Sequence, residues 1–383
     1  MPGAATLEAQ FGGLTDPRSA YGRRHKLIDI VTIAILAVIC GADGWTDIEV
    51  YGEAKEKWLR RFLELPHGIP SHDTFRRVFG SLDAQEFQEC FVSWVSAAHE
   101  LTAGQVIAVD GKCLRGSQDT VTGKEAIYMV SAWATADHLV LGQRKVDEKS
   151  NEITAVPALL AYLAIEGCIV TVDALNSQKK TAQQIVKQGG DYILALKDNH
   201  PHMYEDVRNL FAWADGGDFA HMQHDTCMQV GKGHGRIETR TCTTISDPEC
   251  LAMLAKREAW PNLCTVLHVH AKRQIGSETS EEDRYFLSSL SGDTPDLAAK
   301  ALAATRSHWG IENQLHWVLD VTFREDHIRA RFANSAQNLA TLRHIALNLI
   351  RQDKCSKLSV RARRHKAAWD DRYLLHLLRP KHA

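Results

Sequence analysis

Two aspartates and a glutamate in this chain have the types and settings that metal-assisted phosphoryl transfer requires. Asp110 lies in AVDGKCLRGS (108–117) and Asp173 in TVDALNSQKK (171–180), each closing a short apolar, β-rich run. Glu312 lies in SHWGIENQLHWVLDVTFREDHIRAR (307–331), inside a strongly helical stretch. Three carboxylates drawn together repel: at ~4 Å each pair costs about 1 kcal/mol in water and about 4 at an effective dielectric of about 20. A fold keeps such a cluster when cations fill it, and hard oxygen donors select Mg²⁺ or Mn²⁺ over zinc. Two ions ~3.5–4 Å apart activate the attacking oxygen and stabilise the leaving oxygen of a phosphodiester. Asp110 would bridge both ions, Asp173 would hold one and Glu312 the other. No Ser or Cys nucleophile is needed. Singly, each acid has an ordinary reading: an Asp after a strand serves turns and helix caps, and a helical Glu is usually solvated.

The elements that must position these acids follow from periodicity. Residues 1–20 form a loose arm and 21–101 are helical, so 1–102 make an N-terminal helical domain. Ser71 opens a helix that turns Phe75, Val78 and Phe79 to one face. Asp83 with Glu86 starts the next, which buries Phe87, Phe91, Trp94 and Val95. From Gln105 the pattern becomes β: VIAVD is a buried strand ending at Asp110, 128–135 and 138–146 a hairpin, CIVTVD a second buried strand and DYILALK a third. Helices fill Glu152–Ile165, from near Pro157, and the stretch that Ser177 caps up to Gln188. The β-β-β-α-β-α-β order with right-handed crossovers predicts a mixed five-stranded sheet with flanking helices, and its first and fourth strands can be neighbours. Asp110 and Asp173 would then be adjacent. After a helix at His202–Trp213, alternating runs at 236–245, 264–273 and 284–290 make a β-rich insertion, about 215–290, between the second Asp and the Glu. Helix resumes at Thr294 and continues to about Arg351. The expected units are 1–102, a catalytic domain over 103–350, and a basic segment over 351–383.

Bulk properties narrow the class. Apolar residues make up 44% of the 383 and charged ones 24%, as in soluble globular proteins. The nine cysteines form no C-x-x-C pair, which argues against a zinc ribbon and a secreted disulfide framework and suggests a reducing, cytosolic setting. The apolar stretch Leu27–Cys40 is shorter than the ~20 residues that span a bilayer, and it lacks a signal-peptide layout. It reads as a buried helix, and no membrane partner is expected. Net charge is −2, yet Arg324–Ala383 holds fourteen Lys/Arg against five Asp/Glu, a local +9 that leaves −11 elsewhere. Such asymmetry suits a protein that grips phosphates with one region, and equally a solvated basic tail.

The chain resembles insertion-sequence transposases of the ISAs/H-repeat-associated type, in the DDE superfamily with an RNase H-like core. The likeness runs through AVDGKCLRGS, VTVDALNSQKKTAQQIVKQGGDYILALKDNH (170–200), GHGRIETR (233–240) and the Glu312 segment, and reaches the N-terminal domain through PSHDTFRRVF (70–79). It implies Asp110, Asp173 and Glu312 as the catalytic, metal-binding triad with two Mg²⁺ or Mn²⁺ ions. It also implies DNA as partner, both terminal inverted repeats and target, and a homodimer in the active complex. Related members carry Tyr seven and Arg four residues before the Glu, and Lys seven after. Those positions hold Thr305, His308 and Leu319 here. Phosphate gripping would then fall to Arg306, His308 or His316. His308, Glu312 and His316 share one helical face, which also fits zinc, although two aspartates as partners disfavour that metal.

Further DNA contacts are candidates beside bland alternatives. Lys112 and Arg115 follow Asp110 in what reads as a loop. Lys197 and Asn199 end the third buried strand. Arg236 and Arg240 alternate with Glu238 on one strand face, next to His234. Arg361, Arg363 and Arg364 make a basic run. Trp260 would stack on an unpaired base or, more simply, sit in the core. Trp309 and Trp317 are expected in the core, holding the Glu helix to the sheet. The leading function is a DNA transposase that cuts element ends and transfers them to target DNA. The alternatives are a metal-dependent DNA nuclease on the same fold and a catalytically inert, transposase-derived DNA-binding protein.

Overall fold

The computed structural model describes residues 2–99, 101–119, 123, 125–146, 152–233 and 235–378. His234 therefore lies outside the described residues. One mixed sheet of nine strands organises the chain: β1 (Val106–Leu114), β2 (Ile127–Ala134), β3 (Leu139–Lys145), β4 (Ile169–Val172), β5 (Asp191–Leu196), β6 (His224–Gly233), β7 (Arg236–Ile245), β8 (Thr265–Ile275) and β9 (Glu278–Ser288). Their order is β3-β2-β1-β4-β5-β9-β8-β7-β6. The expected five strands are thus part of a nine-stranded sheet, because the insertion does not form a separate unit. Its last strand, β9, pairs antiparallel with β5, Leu194 opposite Leu287, and carries the sheet onward. The inner ends of β8 and β9 are buried and their outer ends are exposed, so the inserted hairpins project as an arm.

The adjacency of the first and fourth strands is present. β1 and β4 pair in parallel, from Val106 opposite Ile169 to Val109 opposite Val172. Ile107–Val109 and Ile169–Val172 are continuous buried runs, apolar but for Thr171, as strands covered on both faces require. β1 does not end at Asp110. It continues to Leu114 against β2, with Asp110 opposite Ser131 and Lys112 opposite Met129.

Helices cover both the sheet and each other. Leu27–Ile39 is buried but for half-buried Ile28, and its Asp29 accepts the Leu65 N–H at 3.1 Å. The Ser71 and Asp83 caps are in place, and Asp83 accepts from the N–H groups of Gln85 and Glu86 at 2.8 Å each. Glu86 does not close a capping box: its carboxylate takes the N–H and hydroxyl of Thr15, pinning the arm. The helix Ser335–Gln352 joins the N-terminal helices to the sheet. Its Asn338 donates to the carbonyls of Phe79 and Leu82, which end the helix His72–Ser81. Its Asn348 bonds both the N–H and the C=O of Val140 on edge strand β3, at 2.9 and 2.8 Å. An amide side chain thereby occupies the edge that would otherwise seek another strand.

The expected helix over 294–351 divides in two. The first part runs unbroken from Leu297 to Val321, and its turn Ile311–His316 is π-helical. Ala298, Ala301, Leu302 and Ala304 press it against Ile169, Ile193, Cys242 and Leu267 of the sheet. Small side chains on that face permit the close approach.

Candidate active site

Asp110 and Asp173 each stand one residue beyond the last β1–β4 pair, so parallel pairing puts them side by side at one edge of the sheet's centre. Asp110 Oδ1 accepts the Gly111 N–H at 2.9 Å. Asp173 orders the loop that follows it: its Oδ1 accepts the Asn176 N–H at 3.0 Å, and its carbonyl accepts the Ser177 hydroxyl at 2.8 Å. Ser177 therefore braces this loop, and the next helix, Lys179–Lys187, starts after Gln178 instead. Glu312 sits on the π turn, exposed, and lines with Asp173 a cavity of about 260 Å³. A π turn widens a helix by one residue and recurs at functional positions.

Electrostatics couples the three acids. The Asp110 carboxyl is pushed up to about 7, first by burial and then by the negative charge of Asp173, with Glu312 and Glu152 adding to it. Glu152 is a fourth carboxylate that sequence reasoning missed. It opens the helix Glu152–Leu160, its carboxylate lies where a Cβ on Gly111 would be, and it accepts from Asn176 Nδ2 at 3.3 Å. An acid in a first helical turn reads as a dipole partner, so nothing in the sequence singled it out.

Two histidines stitch the Glu312 helix to the aspartate strands. His308 Nδ1 meets the Thr171 hydroxyl at 3.0 Å, two residues before Asp173, and His316 Nδ1 stands 3.5 Å from Asp110 Oδ2. Burial depresses both imidazoles, His316 to about 3. Among the described residues, no three His, Cys, Asp or Glu side chains stand close enough together to hold one ion. The acids whose charges raise the Asp110 carboxyl are Asp173, Glu312 and Glu152, and oxygen donors of this kind suit a hard divalent cation better than zinc.

The remaining candidates divide. Lys197, exposed at the end of β5, lines the cavity of Asp173 and Glu312. Asn199 does not face it: its amide donates to the carbonyls of Ala174 and Ser177 and props up the Asp173 loop. Lys112 lies in β1, not in a loop, and its buried ammonium grips Asp320 and, at 2.6 Å, Glu325. Arg115 is exposed, 3.7 Å from Asp326. Arg236 and Arg240 flank Glu238, and Arg306 donates to Gln229 at 2.9 Å. Arg363 and Arg364 are not presented to solvent as a basic run would be. Arg363 donates to the carbonyls of Ile350, Asp353 and Ser356, and Arg364 to those of Thr322 and Val38. Only Arg361 of the three is exposed. Trp260 is core, 3% exposed, whereas Trp309 and Trp317, expected in the core, are 51% and 57% exposed.

This chain belongs to the transposase DDE domain family: residues 102–349 match the family of that description, and residues 9–95 match the one described as DDE_Tnp_1-associated. Among relatives, the H repeat-associated protein YhhI of Escherichia coli K12 is 39% identical over 95% of each chain. YbfL of the same strain is likewise 39% identical over 95% of each. A shorter relative there, named inactive transposase YbfQ, is 48% identical over 16% of this chain and 75% of its own. Among solved structures, a synaptic complex of piggyBac transposase with hairpin DNA aligns over 99% of this chain and 82% of that one, with TM-score 0.43 and 10% identity.

Proposed function

We propose that this protein is a DNA transposase that cuts at the ends of its own element and joins the freed 3′-hydroxyl to target DNA, with Asp110, Asp173 and Glu312 as its catalytic carboxylates. The observation that carries the reading is the side-by-side setting of Asp110 and Asp173 beyond paired strands, with the charges of Asp173 and Glu312 both felt at Asp110. Strands β1–β5, in the order β3-β2-β1-β4-β5, are read as an RNase H-like core to which the insertion adds an arm. Bound Mg²⁺ or Mn²⁺, two ions in the full reading, would supply Lewis acidity to a phosphodiester. The residues act around that event. Asp110 and Asp173 hold the acidic floor, Glu312 reaches it from an exposed π turn, and His308 and His316 fix the helix that presents Glu312. Lys197, Arg236, Arg240, Arg306 and exposed Arg361 are read as phosphate contacts. The helical domain over 1–102 is read as the binder of element ends, in a homodimer in the bacterial cytosol.

The test is cleavage, in Mg²⁺, of duplexes carrying the sequences that flank its gene. Wild type should nick them, and Asp110→Asn and Glu312→Gln should lose cleavage by orders of magnitude while still binding. If Glu312→Gln cuts like wild type, the triad is misassigned. Cutting without joining of pre-cut ends would make the protein a nuclease, and binding without cutting an inert relative.

A further inference from the structure

The missing side chain of Gly111 makes room for another residue. Side chains alternate along a strand, so a Cβ at 111 would leave β1 on the face opposite to the Asp110 side chain. The Asp110 face looks onto the Glu312 helix, where His316 stands 3.5 Å away, and Thr171 meets the same helix through His308 at 3.0 Å. The Gly111 face is taken by Glu152, half-buried in the first turn of the helix Glu152–Leu160. A Cβ on Gly111 would stand 2.5 Å from Glu152 Cδ and Oε2 and 2.7 Å from Oε1, nearer than such atoms approach, so the carboxylate is seated directly on the glycine.

Glu152 leads on to the second aspartate. Its Oε2 accepts from Asn176 Nδ2 at 3.3 Å, and the Asn176 N–H donates to Asp173 Oδ1 at 3.0 Å. Asn176 is fully buried, and the Thr181 hydroxyl donates to its carbonyl at 3.2 Å. Turned over, the Asn176 amide would set its oxygen against a carboxylate that can only accept, so its orientation is fixed. One chain of contacts thus runs from the backbone just after Asp110, through Glu152 and Asn176, to the Asp173 carboxylate. The β1–β4 pairing stops at Val109 and Val172, so beyond it the ladder itself no longer sets how far apart the two acids stand.

We infer that Glu152 is a positioning residue: seated on Gly111 and bonded to Asn176, it sets the separation of Asp110 and Asp173 at which the pair takes up a divalent cation. It contributes this through its seat and its hydrogen bond, from behind the strand, and not as one of the cation's own ligands. The inference rests on the metal-binding reading of the two aspartates and adds the brace that spaces them.

The test is the full chain's affinity for Mg²⁺, without DNA, by titration calorimetry, with urea unfolding in metal-free buffer alongside. Glu152→Ala should raise the Mg²⁺ Kd by roughly 10- to 100-fold, the usual effect of removing a group that orients a metal ligand. Glu152→Gln, which keeps an acceptor for Asn176, should retain most of the wild-type affinity. Gly111→Ala should weaken binding as Glu152→Ala does, because its methyl expels the carboxylate. In the Glu152→Ala background, where that space is free, it should change little more. The Gly111→Ala and Glu152→Gln variants guard against a Glu152→Ala protein that fails to fold. A side chain that only stabilised the fold would lower unfolding free energy and leave the Kd unchanged. That result overturns the brace, as does Glu152→Gln binding as weakly as Glu152→Ala, or additive losses in the double variant. In all three the wild type binds Mg²⁺ and the aspartate reading stands. If wild type takes up no Mg²⁺, that reading fails and the brace with it.

Discussion

His316 presents Nδ1 to Asp110 Oδ2 at 3.5 Å and brings no charge with it. Burial holds its imidazole down at about 3, so at neutral pH it is uncharged and leaves the carboxyl's repulsion with Asp173 and Glu312 in place. Asp110 therefore sits in an electrostatically unfavourable position, which supports its proposed role as a metal ligand.

Asp110→Asn should make the protein more stable in metal-free buffer. The Asp110 carboxyl is raised from 3.8 to about 7 in the folded chain. Between those values the folded state binds a proton that the unfolded state has released, so stability falls as pH rises through the window and the full penalty applies above it. Removing the charge should then raise unfolding free energy by on the order of 2–4 kcal/mol at pH about 8 and by little near pH 4. Thermal or urea unfolding across pH measures it. Added Mg²⁺ should stabilise wild type more than the variant, since a ligand that binds only the folded state stabilises it.

Arg361 and Arg364, three residues apart, should separate cleanly in their effects. Arg364 donates to two carbonyls, and its guanidinium lies 4.1 Å from the centre of the Phe323 ring. Arg364→Ala should lower stability by about 2–4 kcal/mol, through lost packing and orphaned carbonyls. Arg361→Gln should leave stability nearly unchanged and reduce the slope of log affinity for DNA against log salt by about 0.9, the loss of one phosphate contact. Equal salt slopes in wild type and Arg361→Gln would remove Arg361 from the interface.

The parts of this architecture legible in the sequence are those with a period. Buried parallel strands read as short apolar runs, and because the hairpin and crossovers have fixed hand and length, the pairing of β1 with β4 followed. β6 did not read as a strand: no residue of HDTCMQVGKG is fully buried, and its half-buried face carries Asp225, Cys227 and Gln229 while Met228 and Val230 face out, so the alternation is not one of apolar and polar residues. The two tryptophans misled for the converse reason. From Ile311 to His316 the helix is π-wound, so a period of 3.6 does not carry through to Trp317, while Trp309 lies half exposed on the α-helical turn before it. Lys112 misled because its partners, 208 and 213 residues away, leave no local trace.

Lys112→Met should show how the triad's carriers are held together. Asp110 and Lys112 are alternate residues of β1, and Glu312 and Asp320 lie on the same helix, so the Lys112–Asp320 pair ties one acid's strand to the other's helix. Glu325, 4% exposed, joins Lys112 to Arg343 of the helix Ser335–Gln352, with Arg343 at 3.4 Å. Burial alone would raise the Glu325 carboxyl, but Lys112 and Arg343 offset this and hold it at about 2. Its contribution to stability is present above the ordinary 4.5 and disappears as pH falls towards 2. Without Lys112, half-exposed Asp320 loses its counter-ion and buried Glu325 keeps only Arg343, a loss of about 3–5 kcal/mol. The acid limb of the stability profile should also move to higher pH, because Glu325 would protonate sooner. Lys112→Arg, which keeps the charge, should recover part of both. Urea unfolding from pH about 3 to 8 measures them, and a Lys112→Met profile that overlays wild type would show that the ion pair does not brace the site.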